Sequence, residues 1–494
     1  MSAPRFVGRH IELQALDRFL SAPQAGLAIL YGRRRVGKTT LLEQWLSHGP
    51  REALYWTATT KGAAILLRDF SQALLRSDRR FTAPIPESFT FPSWEEAFER
   101  LGHIAEASPD PFVVVLDEFT YLIAAYPPVA SVLQVAWDRR LSKIPQLRLI
   151  LTGSSIGLME RHVLAANAPL YGRASAVLQL HPLPYGTFVE VFPDWSPDER
   201  VAAYAVTGGV PAYLAPLARG KSFVEGLRDF ALVPGSLYLN DPILLLHEQL
   251  QDTTIYVSIL QAIARGAHSW PDIAREALMA QNHVGYYVKN MEVLRLVAGR
   301  VPVLAGNAER RRGLRYHIQD PFLRFYFRFV EPHLSDLERG RTSRAVQTIR
   351  EDLRAFIGKY VFEDLCREWV SESAEADLIG FLPETTGSFW SQTDQPVELD
   401  IVAASRRAKR LLIGEAKWGD KPVAEKILTD LIARSQRMPQ VAQGWRTDYV
   451  LFARKGFTPA LTRYAASIGA QLITLVDLED RLVKGARARS RKVH

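Results

Sequence analysis

The 494-residue sequence holds a single cysteine, Cys366. One thiol excludes an internal disulfide and any cysteine-based zinc site, and it suits a reducing compartment. Long apolar runs are missing too. No stretch approaches the ~20 residues that span a bilayer, and the opening MSAPRFVGRH lacks the apolar core of a secretion signal. A soluble, cytoplasmic protein with no membrane partner is therefore expected. Neither charge sign dominates: 61 Lys+Arg against 53 Asp+Glu leave +8, which permits an anionic partner without demanding one. What is present is a folded composition, 47% hydrophobic and 23% charged. The length exceeds a single core and suggests several domains.

The strongest signal is Leu27 to Tyr31, an apolar strand, running into Gly32-Arg33-Arg34-Arg35-Val36-Gly37-Lys38-Thr39-Thr40. This satisfies G-x-x-x-x-G-K-[ST], a loop whose amides wrap a phosphate. Glycine is expected at both ends because the wrapping backbone takes dihedrals closed to other residues and must approach the anion closely. Lys38 would serve the outer phosphates and Thr39 the Mg²⁺, while Thr40 to Leu46 opens a helix whose positive end faces the anion.

Other elements follow in strand–helix alternation. Ile11 to Leu20, Ala63 to Leu75 and a Ser93-capped stretch to Ala107 read as helices, and Ala53 to Trp56 as a strand. PFVVVLDEF, Pro111 to Phe119, is a buried strand ending in two acids. Asp117 would hold the Mg²⁺ water shell and Glu118 polarise the attacking water, the alternative being a helix cap. The strand Leu147 to Leu151 ends in Thr152-Gly153-Ser154-Ser155, where Ser154 would sense the γ-phosphate or cap a helix. Arg173 reads either as an arginine finger or as a surface arginine. Ser196 to Glu199 caps a helix leading to Gly208-Gly209-Val210-Pro211, a turn or a lid segment.

Phe6-Val7-Gly8-Arg9, the Arg-rich loop, VVVLDEF, ILTGSS, Tyr171-Gly172-Arg173 and GGVPAYL stand in an order that resembles archaeal-type ATPases of the AAA+/STAND group. The resemblance covers roughly the first half of the chain. It implies ATP as the nucleotide and adds Gly8, Arg9 and Pro211 to the nucleotide site.

Further on, Thr254 to Ala264, a capped helix from Ser269 to Leu278 and Asn282 to Leu296 fit a helix-turn-helix. His283, Tyr286, Tyr287, Lys289 and Asn290 would face DNA. Leu296 to Leu304 and Arg310-Arg311-Arg312 to His317 suggest a hairpin wing with a basic tip, broken at Gly306-Asn307. DNA contact and packing on the core stand about level. Tyr316 to Phe329 reads as a buried aromatic helix.

After an Arg/Ser-rich linker, Leu353 to Val370 reads as one long amphipathic helix. Strands are expected at Phe389 to Thr393, Val397 to Ala403, Arg410 to Trp418, Asp448 to Phe452 and Gln471 to Val476, with a helix at Val423 to Arg437 and a turn at Thr393 to Pro396. Period-2 alternation puts Glu398 with Asp400, and Glu415 with Lys417. Converging carboxylates beside an amine suit Mg²⁺ or Mn²⁺, held by Asp400 and Glu415, with Lys417 acting on a water. These strands resemble the PD-(D/E)xK restriction-endonuclease-like fold, Asp400 matching the first acid and Glu415-Ala416-Lys417 the (D/E)xK; Glu363 is a further acid. An exposed hairpin or a degenerate nuclease is the alternative. Lys484 to Lys492 reads as a disordered basic tail able to touch nucleic-acid phosphate.

The expected architecture is thus multidomain α/β: a P-loop parallel-sheet NTPase core (1–185), a helical lid (186–245), a winged helix (246–335), a restriction-endonuclease-like α/β domain (336–483) and a basic tail (484–494). Two functions compete. One is an ATPase coupled to DNA binding and metal-dependent DNA cleavage. The other is a regulatory or signalling ATPase with an inactive nuclease-like scaffold and a protein partner; a homo-oligomer is left open.

Overall fold

The computed structural model describes residues 6–49, 52–250, 252–306, 310, 313–391 and 396–491. The chain divides into two compact units, Gly8–Pro182 and the residues from Leu183 onward.

In the first unit β1 (Gly26–Tyr31), β2 (Glu52–Thr57), β3 (Phe112–Asp117), β4 (Leu147–Gly153) and β5 (Ala176–Gln179) form a sheet in the order β2-β3-β4-β1-β5. All neighbours are parallel. Parallel strands need helical crossovers; Lys38–Leu46 links β1 to β2, and Ala63–Ser77 with Trp94–Glu106 links β2 to β3. Strands β1, β3 and β4 are buried along their whole length, which is why they read as unbroken apolar runs. Tyr31 lies opposite Gly153 and Leu116 opposite Leu151. The three strand ends are therefore level, and Gly32, Glu118 and Ser154 emerge at one edge.

In the second unit the helix Pro197–Thr207 starts at a capping box, Ser196 with Glu199, and ends at Gly208 and Gly209 with φ of 59° and 78°. Helices Thr253–Ala264, Trp270–Glu276 and Gln281–Val293 precede an antiparallel hairpin, β6 (Val297–Arg300) with β7 (Arg315–Ile318). Pairing with β6 draws Tyr316 to Ile318 into a strand, so the aromatic helix starts only at Pro321, where the Asp320 carboxylate accepts from the amides of Phe322 and Leu323. Asn307, Arg311 and Arg312, the expected break and most of the basic tip, lie outside the described residues. The hairpin's flanks are docked on the C-terminal sheet. The Val303 amide donates to the Ser388 carbonyl at 2.9 Å, the Trp390 indole to the Gly313 carbonyl at 3.0 Å, and Arg315 pairs with Glu398 at 3.0 Å.

That sheet contains β8 (Thr385–Trp390), β9 (Glu398–Ser405), β10 (Arg410–Lys417), β11 (Arg446–Ala453) and β12 (Gln471–Thr474), ordered β12-β11-β10-β9-β8. Strands β8 to β10 are antiparallel neighbours, while β10, β11 and β12 run parallel. Strand β8 ends at Trp390, and the turn expected at Thr393 falls mostly outside the described residues. The helix expected from Leu353 to Val370 lies within a longer helical run, Ser343–Ile357 and Glu363–Glu375, which continues through a π turn at Gly358–Phe362. The wide turn lays Gly358 against Trp418 and sets the Phe362 ring 4.9 Å from that indole.

The expected disordered tail is also corrected, because Leu475–Arg491 is one helix. Leu478 and Leu482 are buried, and Glu479 accepts from Arg200 at 2.6 and 2.8 Å and from the Tyr185 hydroxyl at 2.7 Å. Arg489 pairs with Glu372. These anchors outweigh the local bias of a Gly/Ala/Arg-rich sequence. No single helix among the described residues is long and apolar enough to cross a membrane.

Candidate functional site

The loop after β1 is built from two different glycine requirements. Gly37 takes φ 94°, the left-handed region that L side chains avoid. Gly32 is fixed by crowding, since a Cβ there would run into the carbonyl oxygen of Leu180; the dihedral argument applies only at the far end of the loop. Gly8 and Arg9 form a left-handed turn, φ 66° and 64°. The buried Arg9 guanidinium donates to the Val36 carbonyl at 3.0 Å and pairs with Glu12 at 3.0 Å. Burial lowers the pKa of Arg9 while Glu12 opposes the change. The upstream turn is thus tied to the back of the phosphate loop.

Lys38 is buried at the start of its helix. Its Nζ donates to the Gly32 carbonyl at 3.0 Å, the Arg33 carbonyl at 3.3 Å and Ser154 Oγ at 2.7 Å. Burial lowers its pKa, and the charges of Glu118 and Asp117 work the other way. Ser154 Oγ in turn donates to Glu118 Oε1, and the Ser154 amide to Oε2 at 3.1 Å. Glu118 itself sits at φ 53°, ψ 44°, a backbone state that costs on the order of 1–3 kcal/mol and clusters at working sites. Asp117 Oδ2 accepts from Thr39 Oγ1 at 3.2 Å and from the Tyr55 hydroxyl at 2.8 Å, while Oδ1 accepts from Thr152 and from the Glu118 amide. Burial, then the Asp117 charge, push the Tyr55 phenol far up, so it stays a donor. Thr39 and Asp117 present a hydroxyl and a carboxylate side by side, a hard-oxygen set that fits Mg²⁺.

A second group gathers at β9 and β10. Asp400 Oδ2 accepts from the Ala416 amide at 3.0 Å. Glu415, 4% exposed, binds Lys417 Nζ through Oε1 at 2.6 Å and Arg434 through Oε2 at 2.7 Å. Arg367 donates to the Asp400 carbonyl at 2.6 Å and pairs with Asp364 at 2.6 Å. Burial, then the Asp400 charge, lift Glu363 to about 8; burial, then the Glu415 charge, lift Asp400 to about 6. Burial disfavours the Asp364 charge, but Arg367 and Arg300 outweigh it and hold that acid at about 2. Glu398 does not join them as alternation suggests. Two-thirds exposed, it pairs with Arg315 of the hairpin. Among the described residues no group of three or more His, Cys, Asp or Glu is placed to hold a metal ion. A cation between Asp400 and Glu415 would share the Glu415 carboxylate with Lys417 and Arg434.

A family model described as an ATPase domain predominantly from Archaea matches residues 6–217, the whole span of the phosphate-loop site. Residues 6–217 are thus similar to an archaeal-type ATPase domain. A second model, for archaeal and bacterial proteins of unknown function, matches 326–428 and includes Asp400, Glu415 and Lys417. An uncharacterized protein of Methanocaldococcus jannaschii is 29% identical over 87% of this chain and 92% of its own length. An uncharacterized ATP-binding protein of the same organism is 51% identical over 9% of this chain and 73% of its own length. A Walker-type ATPase of Pyrococcus abyssi is similar in structure, with TM-score 0.49 and 21% identity over 65% of this chain and 96% of that one.

Within the ATPase domain, the structure brings Lys38, Thr39, Asp117, Glu118 and Ser154 into one bonded network, with Gly8 and Arg9 behind it. Arg33 to Val36 make up the loop itself, and Thr40 lies in the first turn of the helix. Arg173 is elsewhere: both carboxylate oxygens of Asp138 hold its guanidinium at 2.7–2.8 Å, and the Pro169 and Tyr171 carbonyls take Nη1. Pro211 opens the helix Pro211–Leu217 in the second unit. Tyr55 and Thr152 were missed as site residues. Their only signal is a hydroxyl near the C-terminal end of an apolar strand. Arg434 and Arg367 were missed too, since an arginine on a helix face ordinarily reads as solvated.

Proposed function

We propose that the chain is an ATP-driven switch acting on DNA, in which the nucleotide state of the ATPase domain governs a DNA-handling second unit. The observation that carries this reading is the Lys38–Ser154–Glu118 chain of hydrogen bonds beside the Thr39–Asp117 pair. Lys38 leaves its loop carbonyls to bind the outer phosphates, and Ser154, released from Lys38, reports the γ-phosphate to Glu118. Freed of Ser154, Glu118 orients and polarises the attacking water. Thr39 and Asp117 would hold Mg²⁺, which would supply charge neutralisation of the phosphates.

In the second unit, the three helices and hairpin are read as a winged helix that meets DNA through His283, Tyr286 and Lys289, all exposed on Gln281–Val293. Asp400, Glu415 and Lys417 are read as a PD-(D/E)xK site for phosphodiester cleavage with Mg²⁺ or Mn²⁺. The test is cleavage of duplex, branched and single-stranded DNA with either metal, with and without ATP. Nicking that disappears in Asp400→Ala and Lys417→Ala supports it.

A second reading, a regulatory ATPase whose C-terminal domain is an inert scaffold for a protein partner, is favoured by one observation: both Glu415 oxygens are already bound to cations. ATP turnover with no cleavage and no salt-dependent DNA binding would decide for it.

A further inference from the structure

Inside the second unit a cavity of about 260 Å³ lies between the helices Pro197–Thr207 and Ser343–Ile357, under Trp418. Its body is apolar, with Ala202, Leu227, Ile349 and Leu353 among the walls. The sequence explains the placement of its charge. Val346, Arg350, Leu353 and Ile357 follow one another at helical spacing, so an exposed guanidinium stands at the solvent edge of an apolar stripe.

The other charged groups at the rim are occupied. Arg454 pairs with Asp198 and Asp420, Arg354 with Asp420, and Arg228 with Asp229. Glu199 accepts from the Ser196 and Phe223 amides at 3.0 and 3.2 Å. Arg350 has no ion pair or hydrogen bond among the described residues. An apolar pocket with one uncommitted cation at its mouth is complementary to a molecule that is apolar at one end and singly anionic at the other.

We propose that this cavity binds a small amphipathic carboxylate, its chain among Leu227, Ile349 and Leu353 and its head group on Arg350. At a liquid-water share of about 30 Å³ per non-hydrogen atom, about 260 Å³ holds roughly nine such atoms, the size range of a medium-chain acid. The site shares no lining residue with the phosphate loop or the Asp400 group, and the proposal stands whether or not either reading of those sites holds.

Calorimetric titration of the full-length chain with octanoate and with octanol tests it, and Trp418 gives a fluorescence signal that Trp418→Phe removes. Octanoate should saturate at one equivalent and bind at least about tenfold tighter than octanol, the margin of a charge-assisted hydrogen bond. Arg350→Gln should bring octanoate down to the octanol level and leave octanol unchanged. Leu353→Trp should block both while ATP turnover and the melting profile stay at wild-type values, which separates a filled cavity from an unfolded chain. The proposal is overturned if octanoate does not saturate, if the two ligands bind equally to the wild-type chain, or if Arg350→Gln leaves the octanoate affinity unchanged.

Discussion

The edge of the first sheet and the corner of the second formed by β9 and β10 look alike in sequence, each an apolar strand ending in acids with a lysine at hand, yet they handle charge in opposite ways. At the first edge, the Asp117 carboxylate is surrounded by neutral donors, two threonine hydroxyls, a phenol and an amide. It can therefore exchange partners for a metal without breaking an ion pair. At the second, Glu415 is tied by two cations, and its neighbours Glu363 and Asp400 are raised to about 8 and about 6. The first edge is organised for a ligand that brings its own charge. The second is closed upon itself.

The largest effect that could break this contrast is at the loop. Lys38→Ala should abolish nucleotide binding measured with a fluorescent ATP analogue. Glu118→Gln should bind normally and lose turnover by roughly 10²–10³-fold, the range for a lost catalytic group. Normal turnover in both variants would remove the basis for treating this edge as the working one.

Next in size is the pH response of the second group. Glu363 and Asp400 hold protons in the folded chain that they release in the unfolded chain, where they titrate at the ordinary 4.5 and 3.8. Their contribution to stability is therefore complete below about 4 and is lost as pH rises through about 6 and then about 8. Melting curves from pH 4 to 9 should show this decline, and Glu363→Gln should flatten its upper part. A metal must displace the same protons, so calorimetric Mn²⁺ affinity should climb by up to about one decade per pH unit for each proton released and level off above about 8.

Arg434→Ala sharpens the comparison further. Removing that guanidinium frees Glu415 Oε2 but also takes away a positive charge that lowers the Asp400 pKa. At pH 8.5 the second effect is spent, so Mn²⁺ binding should tighten by about three- to tenfold, the scale of a partly exposed ion pair near 1 kcal/mol. Unchanged or weaker binding there would favour the inert-scaffold reading.

How far the sequence carried these sites follows from the range of the contacts. The phosphate loop is local: strand, glycine-bounded turn and helix lie within about twenty residues, so their order alone identified them. Even so, Gly32 owes its identity to Leu180 on a distant segment, which no local pattern reveals. The misread elements are those decided far along the chain. Glu398 is drawn away by Arg315, 83 residues earlier, and the C-terminal helix is anchored by Arg200, 279 residues earlier. The π turn at Gly358–Phe362 lies against Trp418, far along the chain, and a helical period in Leu353 to Val370 carries no trace of it.

The smallest expected effect tests whether the first edge really relies on neutral donors. Tyr55 lies on β2 and reaches Asp117 Oδ2 at 2.8 Å, the oxygen that Thr39 also contacts at 3.2 Å. Tyr55→Phe keeps the ring and its packing and deletes one hydrogen bond, worth about 0.5–1.5 kcal/mol. Because that bond orients the carboxylate assigned to the metal, the loss should appear in the magnesium dependence: half-saturation of turnover by Mg²⁺ moves up about three- to tenfold. Nucleotide affinity measured in EDTA should stay unchanged, since Lys38 and the loop amides do not depend on Tyr55. An equal loss with and without magnesium would mean that the hydroxyl supports the sheet edge as a whole and not Asp117, and the description of that carboxylate as a metal holder poised by neutral donors would have to be given up.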